Sequence, residues 1–400
     1  MKPLVKVSAA EVPALTAELR AALDGGPAVW PVPGPEGLDP LHFSTDPTVD
    51  DAIALVVETS GSTDAPKRVL LPAEALTASA DATHDALGST GQWLLALPGH
   101  YIAGAQVIVR GILAGTETVA VPPGHFEPTA FAEASARLAP RVPHYTSLVP
   151  VQLTRLLDAA ERDAFVAAAV RSFDAVLVGG QALAPALAER AADAGVHVVR
   201  TYGSSETAGG CVYDGRPLDA VRVRTAADGV VELSGPMLAA GYLGDADRTA
   251  AAFPTDADGT RWYRTGDLGE LDRDGRLRIR GRADDLIVSG GVKVALGEVE
   301  RAIRGIRAVP SLAGAVVVGA PDAEWGERPV VVTTGASVSS RDLAAATDAA
   351  GLPPAARPVR VIVLDELPLL ASGKPDRRAI RALAAAAGGV AGDAAGDARA

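Results

Sequence analysis

Apolar and polar positions run through this chain in two rhythms, a 3.6-residue helical spacing and shorter apolar runs of strand length. Between Ile53 and Thr201 the two alternate. Ile53–Val57 reads as a buried strand, and Val69–Leu71 resumes aliphatic character after a polar run, as in a hairpin. Helices are then predicted over Ala73–Leu87, Ala103–Leu113, Pro128–Leu138, Val151–Ala169 and Pro185–Ala194. Strands are predicted over Gln92–Leu97, Thr116–Val121, Tyr145–Val149, Ala175–Val178 and His197–Thr201. This alternation predicts α/β layering with largely parallel strands. Ahead of it, Glu11–Leu23 has the spacing of an amphipathic helix closed by Gly25-Gly26-Pro27, and the Pro/Gly-rich stretch to Pro40 reads as a surface connection. Beyond Val221 the strands shorten, as at Gly229–Leu233 and in a hairpin over Leu268–Arg280 around Asp274-Gly275. The expected organisation is a large unit over 1–283, a small α+β unit over 284–385 and a disordered Ala/Gly/Asp tail over 386–400.

Composition narrows the class. Four hundred residues, 48% hydrophobic and 22% charged, suffice for a large core and more than one domain. A net charge of −12 argues against nucleic acid or an anionic membrane as partner. The single cysteine, Cys211, leaves no intrachain disulfide framework and no multi-cysteine metal site. No apolar run has the length of a signal peptide or a membrane span, so the cytoplasm is the expected compartment.

Six stretches carry chemistry. The polar run of the first hairpin, Thr59-Ser60-Gly61-Ser62-Thr63-Asp64-Ala65-Pro66-Lys67, offers backbone N–H groups, hydroxyls and one ammonium to a phosphate. An apolar strand running into Gly179-Gly180-Gln181 allows close approach of a flat ring. Thr201-Tyr202-Gly203-Ser204-Ser205-Glu206 places an aromatic ring, hydroxyls and a carboxylate within one turn after a strand, the inventory of a nucleotide site. In Thr265-Gly266-Asp267 the carboxylate is an acceptor suited to a ribose diol. The longest stretch, Arg280 to Glu300, has charged residues at the junction of the two units and glycines just beyond it, able to absorb a rotation. Near the C-terminus, Ser372-Gly373-Lys374-Pro375 sets one more lysine on a loop. Taken singly, the hairpin loop, the paired glycines, Glu206 and the C-terminal lysine are more often an ordinary turn, a solvated charge or a solubilising lysine, and Thr265-Gly266-Asp267 is as readily a routine turn.

Their order and separations resemble the adenylate-forming superfamily of acyl-CoA synthetases, aryl-CoA ligases and luciferases, over nearly the whole chain from Val56 to Arg378. That family carries a Ser/Thr/Gly loop ending Pro-Lys, a Tyr-Gly-x-Thr-Glu segment, a Thr-Gly-Asp, a Gly-Arg-x-Asp-Asp hinge followed by Gly-Gly, and a C-terminal Gly-Lys. Two departures stand out: Asp64 where the loop usually has glycine, and Ser205 where the family has threonine, which keeps the hydroxyl. The segments Trp93–Gly104 and His144–Leu153 are similar to those of o-succinylbenzoate–CoA ligases of menaquinone biosynthesis.

The resemblance implies an α/β fold with a large N-terminal adenylate-forming domain of layered sheets and helices and a small mobile α+β C-terminal domain, as a homodimer. It implies an AMP-forming acid–thiol ligase using ATP, Mg²⁺ and coenzyme A. ATP would then meet Thr59, Ser60, Gly61, Ser62, Thr63 and Lys67 at its phosphates, and Gly179, Gly180, Gln181, Thr201, Tyr202 and Gly203 around adenine. Ser205 would contact the α-phosphate, Glu206 would hold Mg²⁺, Asp267 and Arg282 would bind ribose, and Lys374 would stabilise developing charge, with Lys374, Glu206, Ser205 and Lys67 as the catalytic set. His100, Tyr101, Thr146 and Ser147 are candidates for the acid, and Asp284, Ser289, Gly290 and Gly291 for the hinge and the pantetheine arm of CoA. Another aryl or acyl acid, or a catalytically weakened homologue that binds nucleotide or acyl-CoA, stays open as an alternative.

Overall fold

The computed structural model describes residues 1–34, 48–59, 66–335, 338–369 and 375–389. The chain is mixed α/β, with a large N-terminal domain of three sheets and a small C-terminal domain built on a fourth. In the first sheet the strands run Gly241–Tyr242, Lys67–Pro72, Ile53–Thr59, Ala28–Val32, Lys2–Ser8, Thr48–Val49. The second runs Arg216–Pro217, Gly209–Tyr213, Val198–Ser204, Ala175–Val178, His144–Leu148, Gln92–Leu95, Val119–Ala120, and its five strands from Val198–Ser204 onward pair in parallel.

Helices fill the space between these sheets. Val12–Leu23, Ala73–Leu87 and Ile102–Leu113 bury Leu15, Leu19, Leu76, Val107 and Ile108 against Val29, Leu55 and Val57 of the first sheet and Trp93 and Leu177 of the second. The opposite face of the second sheet, Leu94, Val176 and Val178, packs on Phe131, Leu153, Leu156 and Val166. Alternation along each strand thus feeds two separate cores.

The helix expected over Val151–Ala169 is two helices, Pro150–Ala160 and Ala164–Arg171. Asp163 ends the run, its carboxylate accepting from the Phe165 N–H at 2.8 Å as the cap of the second helix. The apolar rhythm continues across the break because both helices face one cluster, through Leu153, Leu157, Val166 and Val170. Ala28–Val32, read above as part of a surface connection, is instead a wholly buried strand. Pro31 concealed it, yet costs nothing in the ladder: the strand meets Ile53–Thr59 only at Val29–Leu55, so the missing N–H falls where that pairing has ended.

The third sheet, Arg222–Thr225, Val230–Ser234, Tyr263–Leu271 and Leu277–Arg282, carries the chain to the junction. A single 3₁₀ turn, Ala283–Asp285, follows, and Leu286–Ser289 opens the last sheet with Val292–Ala295, Val316–Asp322, Gly326–Thr334 and Arg360–Leu364. Val317 and Val331 of that sheet face the helices Leu296–Arg304 and Ser340–Ala349, while Val318, Val330 and Val332 face Ile380 and Ala384 of Arg377–Gly389. Across the junction, Arg280 pairs with Glu298 at 2.6 Å and Arg307 with Glu189 at 2.6 Å. Gly281 and Gly297 touch backbone to backbone: a Cβ on Gly297 would lie 2.8 Å from the Gly281 Cα.

Candidate active site

The hairpin Ile53–Thr59 and Lys67–Pro72 brings Thr59 directly opposite Lys67. Ser60, Gly61, Ser62, Thr63 and Asp64 lie outside the described residues. Lys67 extends its Nζ to 5.5 Å from the centroid of the Tyr242 ring, on the two-residue strand Gly241–Tyr242 that pairs with Leu70 and Val69.

Glu206 sits in a 3₁₀ turn, Ser205–Thr207, at the end of the strand Val198–Ser204. Thr207 ties the turn, its Oγ1 accepting from the Ser204 N–H at 2.9 Å and lying 2.7 Å from the Gly209 carbonyl oxygen. The strand bulges between Tyr202 and Gly203, where the next strand crosses so closely that a Cβ on Gly203 would meet the Gly209 oxygen at 2.0 Å. Only glycine fits there. Glu206 is buried, at 6% exposure, and its Oε1 accepts the Tyr242 hydroxyl at 2.9 Å. Burial and the neighbouring Glu206 carboxylate both push the Tyr242 phenol upward, so it stays a donor at all physiological pH. Among the described residues no basic side chain forms an ion pair with Glu206.

Asp267 lies on the strand Tyr263–Leu271, opposite Arg282 in register. Its Oδ2 accepts the Tyr202 hydroxyl at 2.7 Å and its Oδ1 faces Arg282 Nη1 at 3.2 Å. Arg282 is shared: its Nε and Nη2 donate to the two oxygens of Asp284 at 2.8 and 3.2 Å. Burial raises the Asp267 pKa from its ordinary value, opposed by the Tyr202 bond and the Arg282 charge. Burial and then Asp267 push Tyr202 well above its usual value, so the shared proton stays on the phenol. Beside them, Gly179 lies against Thr201, whose Oγ1 would be 2.4 Å from a Cβ there, and Gly180 has φ +78°.

The remaining candidates are less uniform. His100 has a buried Nδ1 without a hydrogen-bond partner and stacks on Tyr101 with centroids 4.1 Å apart; burial holds its pKa down. Thr146 is wholly buried and its hydroxyl donates to the Leu94 carbonyl at 2.9 Å, so it serves the sheet; Ser147 is buried on the next position. In the small domain Ser289 is buried with an unpartnered Oγ, while Gly290 and Gly291 take φ +56° and +80° at the hairpin tip. Gly290 lies under Trp325, which a Cβ would meet at 2.5 Å. Lys374 lies outside the described residues.

The family model for AMP-binding enzymes matches residues 5–239, and that for the AMP-binding enzyme C-terminal domain matches residues 298–374. The chain belongs to the AMP-binding enzyme family. A probable 2-succinylbenzoate–CoA ligase of Mycobacterium tuberculosis is 41% identical over 338 residues, 83% of this chain and 85% of the relative. A single-substitution variant of E. coli MenE, solved with bound OSB-AMS, is 25% identical with a TM-score of 0.74, covering 96% of this chain and 88% of that one. MenE of Bacillus subtilis, solved with ATP and magnesium ion, shares the fold at 24% identity and a TM-score of 0.71, over 94% and 88% of the two chains.

Two residues of this AMP-binding enzyme escaped sequence reasoning. Tyr242 sits in a short strand without periodicity, and its contact with Glu206 spans 36 residues. Arg110 falls in the last turn of Ile102–Leu113, where an arginine reads as an ordinary helix-terminal charge. It is instead 3% exposed, stacked over Trp93 at 4.9 Å, with an unpartnered Nε and no ion pair among the described residues. The only signal was its setting, with apolar residues on both sides in sequence.

Proposed function

We propose that this chain is the AMP-forming ligase that joins 2-succinylbenzoate to coenzyme A. A carboxylate oxygen of the acid attacks the α-phosphorus of ATP, the bond from that phosphorus to the bridging oxygen breaks, and pyrophosphate leaves. The CoA sulfur then attacks the acyl carbon, AMP leaves, and the thiol proton is lost. The first step needs placement and charge neutralisation more than a general base, because the nucleophile is already ionised.

In this reading the Ser60–Lys67 loop holds the β- and γ-phosphates, and Gly180 and Tyr202 frame adenine. Asp267 and Arg282 hold the ribose, Ser205 meets the α-phosphate, and Lys374 stabilises charge during adenylation. Glu206 suits Mg²⁺: a buried carboxylate with one oxygen taken by Tyr242 and no described cation on the other is a hard, uncompensated donor. Bound Mg²⁺ supplies charge neutralisation on the phosphates. Rotation about Asp284 then withdraws Lys374 and brings Ser289–Gly291 to the pantetheine arm.

The observation that carries this reading is the convergence of Glu206, the Tyr202–Asp267–Arg282 set and Lys67 on strand ends of all three large-domain sheets. The test is AMP release with 2-succinylbenzoate, ATP, Mg²⁺ and CoA, beside a panel of other aryl and acyl acids. AMP and thioester formed selectively with 2-succinylbenzoate are expected. Equal or greater turnover with another acid overturns the substrate, and no AMP with any acid overturns the activity.

A further inference from the structure

Glu206 does not stand alone on its turn. The segment Ala239–Leu243 runs between it and the Lys67 hairpin, bonded to both. On one side the Ala239 N–H donates to the Glu206 carbonyl at 2.9 Å. On the other, the Ala240 N–H donates to the Leu70 carbonyl and the Leu243 N–H to the Arg68 carbonyl, each at 2.8 Å. Tyr242 is at the centre of this strap. Its hydroxyl reaches Glu206 Oε1 at 2.9 Å, and its ring lies under the Lys67 ammonium at 5.5 Å. Its backbone is held as well, the N–H donating to Thr249 Oγ1 at 2.9 Å, and its ring packs on Phe253 with centroids 5.9 Å apart. A buried phenol fixed at backbone, ring and hydroxyl has little freedom to follow a moving carboxylate, so the carboxylate follows it.

We infer that Tyr242 is a positioning residue that couples the metal carboxylate to the phosphate lysine: its hydroxyl takes Oε1 of Glu206 so that Oε2 faces the metal, while its ring sets where Lys67 waits. This rests on the reading of Glu206 and Lys67 given under the proposed function. The two halves of the side chain do different things, which makes them separable. Tyr242→Phe removes the hydroxyl and keeps the ring; Tyr242→Leu removes both. Partners of this kind behind a metal ligand change affinity by roughly 10–100-fold.

The test is calorimetric titration of ATP into the full chain, with excess Mg²⁺ and again with EDTA, backed by thermal melts. In the wild type, Mg²⁺ should tighten ATP binding. In Tyr242→Phe that metal-dependent gain should fall about 10-fold, while the affinity in EDTA stays within twofold. Tyr242→Leu should lose the same gain and also weaken binding in EDTA. A cycle with Glu206→Gln should be non-additive, the Phe substitution adding nothing once the carboxylate is gone. An unchanged metal-dependent gain in Tyr242→Phe, or equal losses with and without metal, overturns the coupling. A wild type that binds ATP with no help from Mg²⁺ overturns the underlying reading of Glu206, and the coupling with it.

Discussion

Replacing Asp267 with asparagine separates what that side chain does for nucleotide binding from what it does for the fold. The change keeps shape and an acceptor oxygen for Tyr202, which bonds it at 2.7 Å, and removes the charge. For stability the two consequences oppose. Arg282 loses a partner at 3.2 Å, but its side chain is 48% exposed and keeps both oxygens of Asp284, so the loss is at most about 1 kcal/mol. Against this, the folded state no longer buries an ionised carboxylate, whose cost shows in the raised Asp267 pKa. The melting temperature should therefore move by no more than about 4 °C. Binding has no such compensation. If each carboxylate oxygen accepts one ribose O–H, one bond keeps a neutral acceptor and at the other the ribose hydroxyl must turn to accept from the amide N–H, so two charge-assisted bonds worth about 1.5–3 kcal/mol each are exchanged for neutral ones worth about 0.5–1.5. A loss of about 2–3 kcal/mol is roughly 30–150-fold in the Kd for AMP. The pH dependence gives a second check. Asp267 is raised in the folded state, so its ionisation costs stability above its folded pKa, and that cost shrinks as pH falls from the folded pKa and is gone below the unfolded one. Wild-type affinity for AMP should decline as pH falls through the raised Asp267 pKa, sooner than an ordinary aspartate would give, while that of the variant stays flat. Affinity within twofold of wild type, or an affinity loss that merely tracks a large drop in melting temperature, refutes the reasoning.

Gly297→Ala should pry the junction apart, since the new Cβ would sit 2.8 Å from the Gly281 Cα and 3.0 Å from the Arg280 oxygen. With overpacking costing about 1–3 kcal/mol, one half-reaction should slow several-fold while the other is spared in rapid-quench assays; equal slowing of both counts against an orientation-specific contact. Gly203→Ala should cost more than 3 kcal/mol or prevent folding, because its Cβ would meet backbone at 2.0 Å, and an unaltered denaturation midpoint would contradict the bulge geometry. Lys374→Ala should abolish acyl-adenylate formation while sparing thioester formation from supplied acyl-adenylate; loss of both would remove that division of roles.

Much of the site could be read from the sequence because its pieces are local. Glu206 follows a strand by two residues, Asp267 follows a glycine within one, and Lys67 closes a hairpin, so spacing along the chain fixes each setting. Arg110 and Tyr242 could not be read this way. A buried cation looks like any helix-terminal arginine until its neighbours are known, and a tyrosine in a two-residue strand carries no periodicity. The same limit explains the strand Ala28–Val32, whose proline is tolerable only because of how far its neighbour pairs.

The sequence by itself determined the alternation of helices and strands, the hairpin of Ile53–Thr59 with Lys67–Pro72 and the family resemblance, since these depend on residue type and short-range spacing. Tertiary structure alone decided which side chains share a partner: Tyr202 with Asp267, Arg282 between Asp267 and Asp284, Tyr242 between Glu206 and Lys67. Tyr202 and Asp267, and Tyr242 and Glu206, come from different sheets, so sheet packing makes those pairs, while strand pairing within one sheet sets Tyr242 beside the Lys67 strand and Asp267 opposite Arg282.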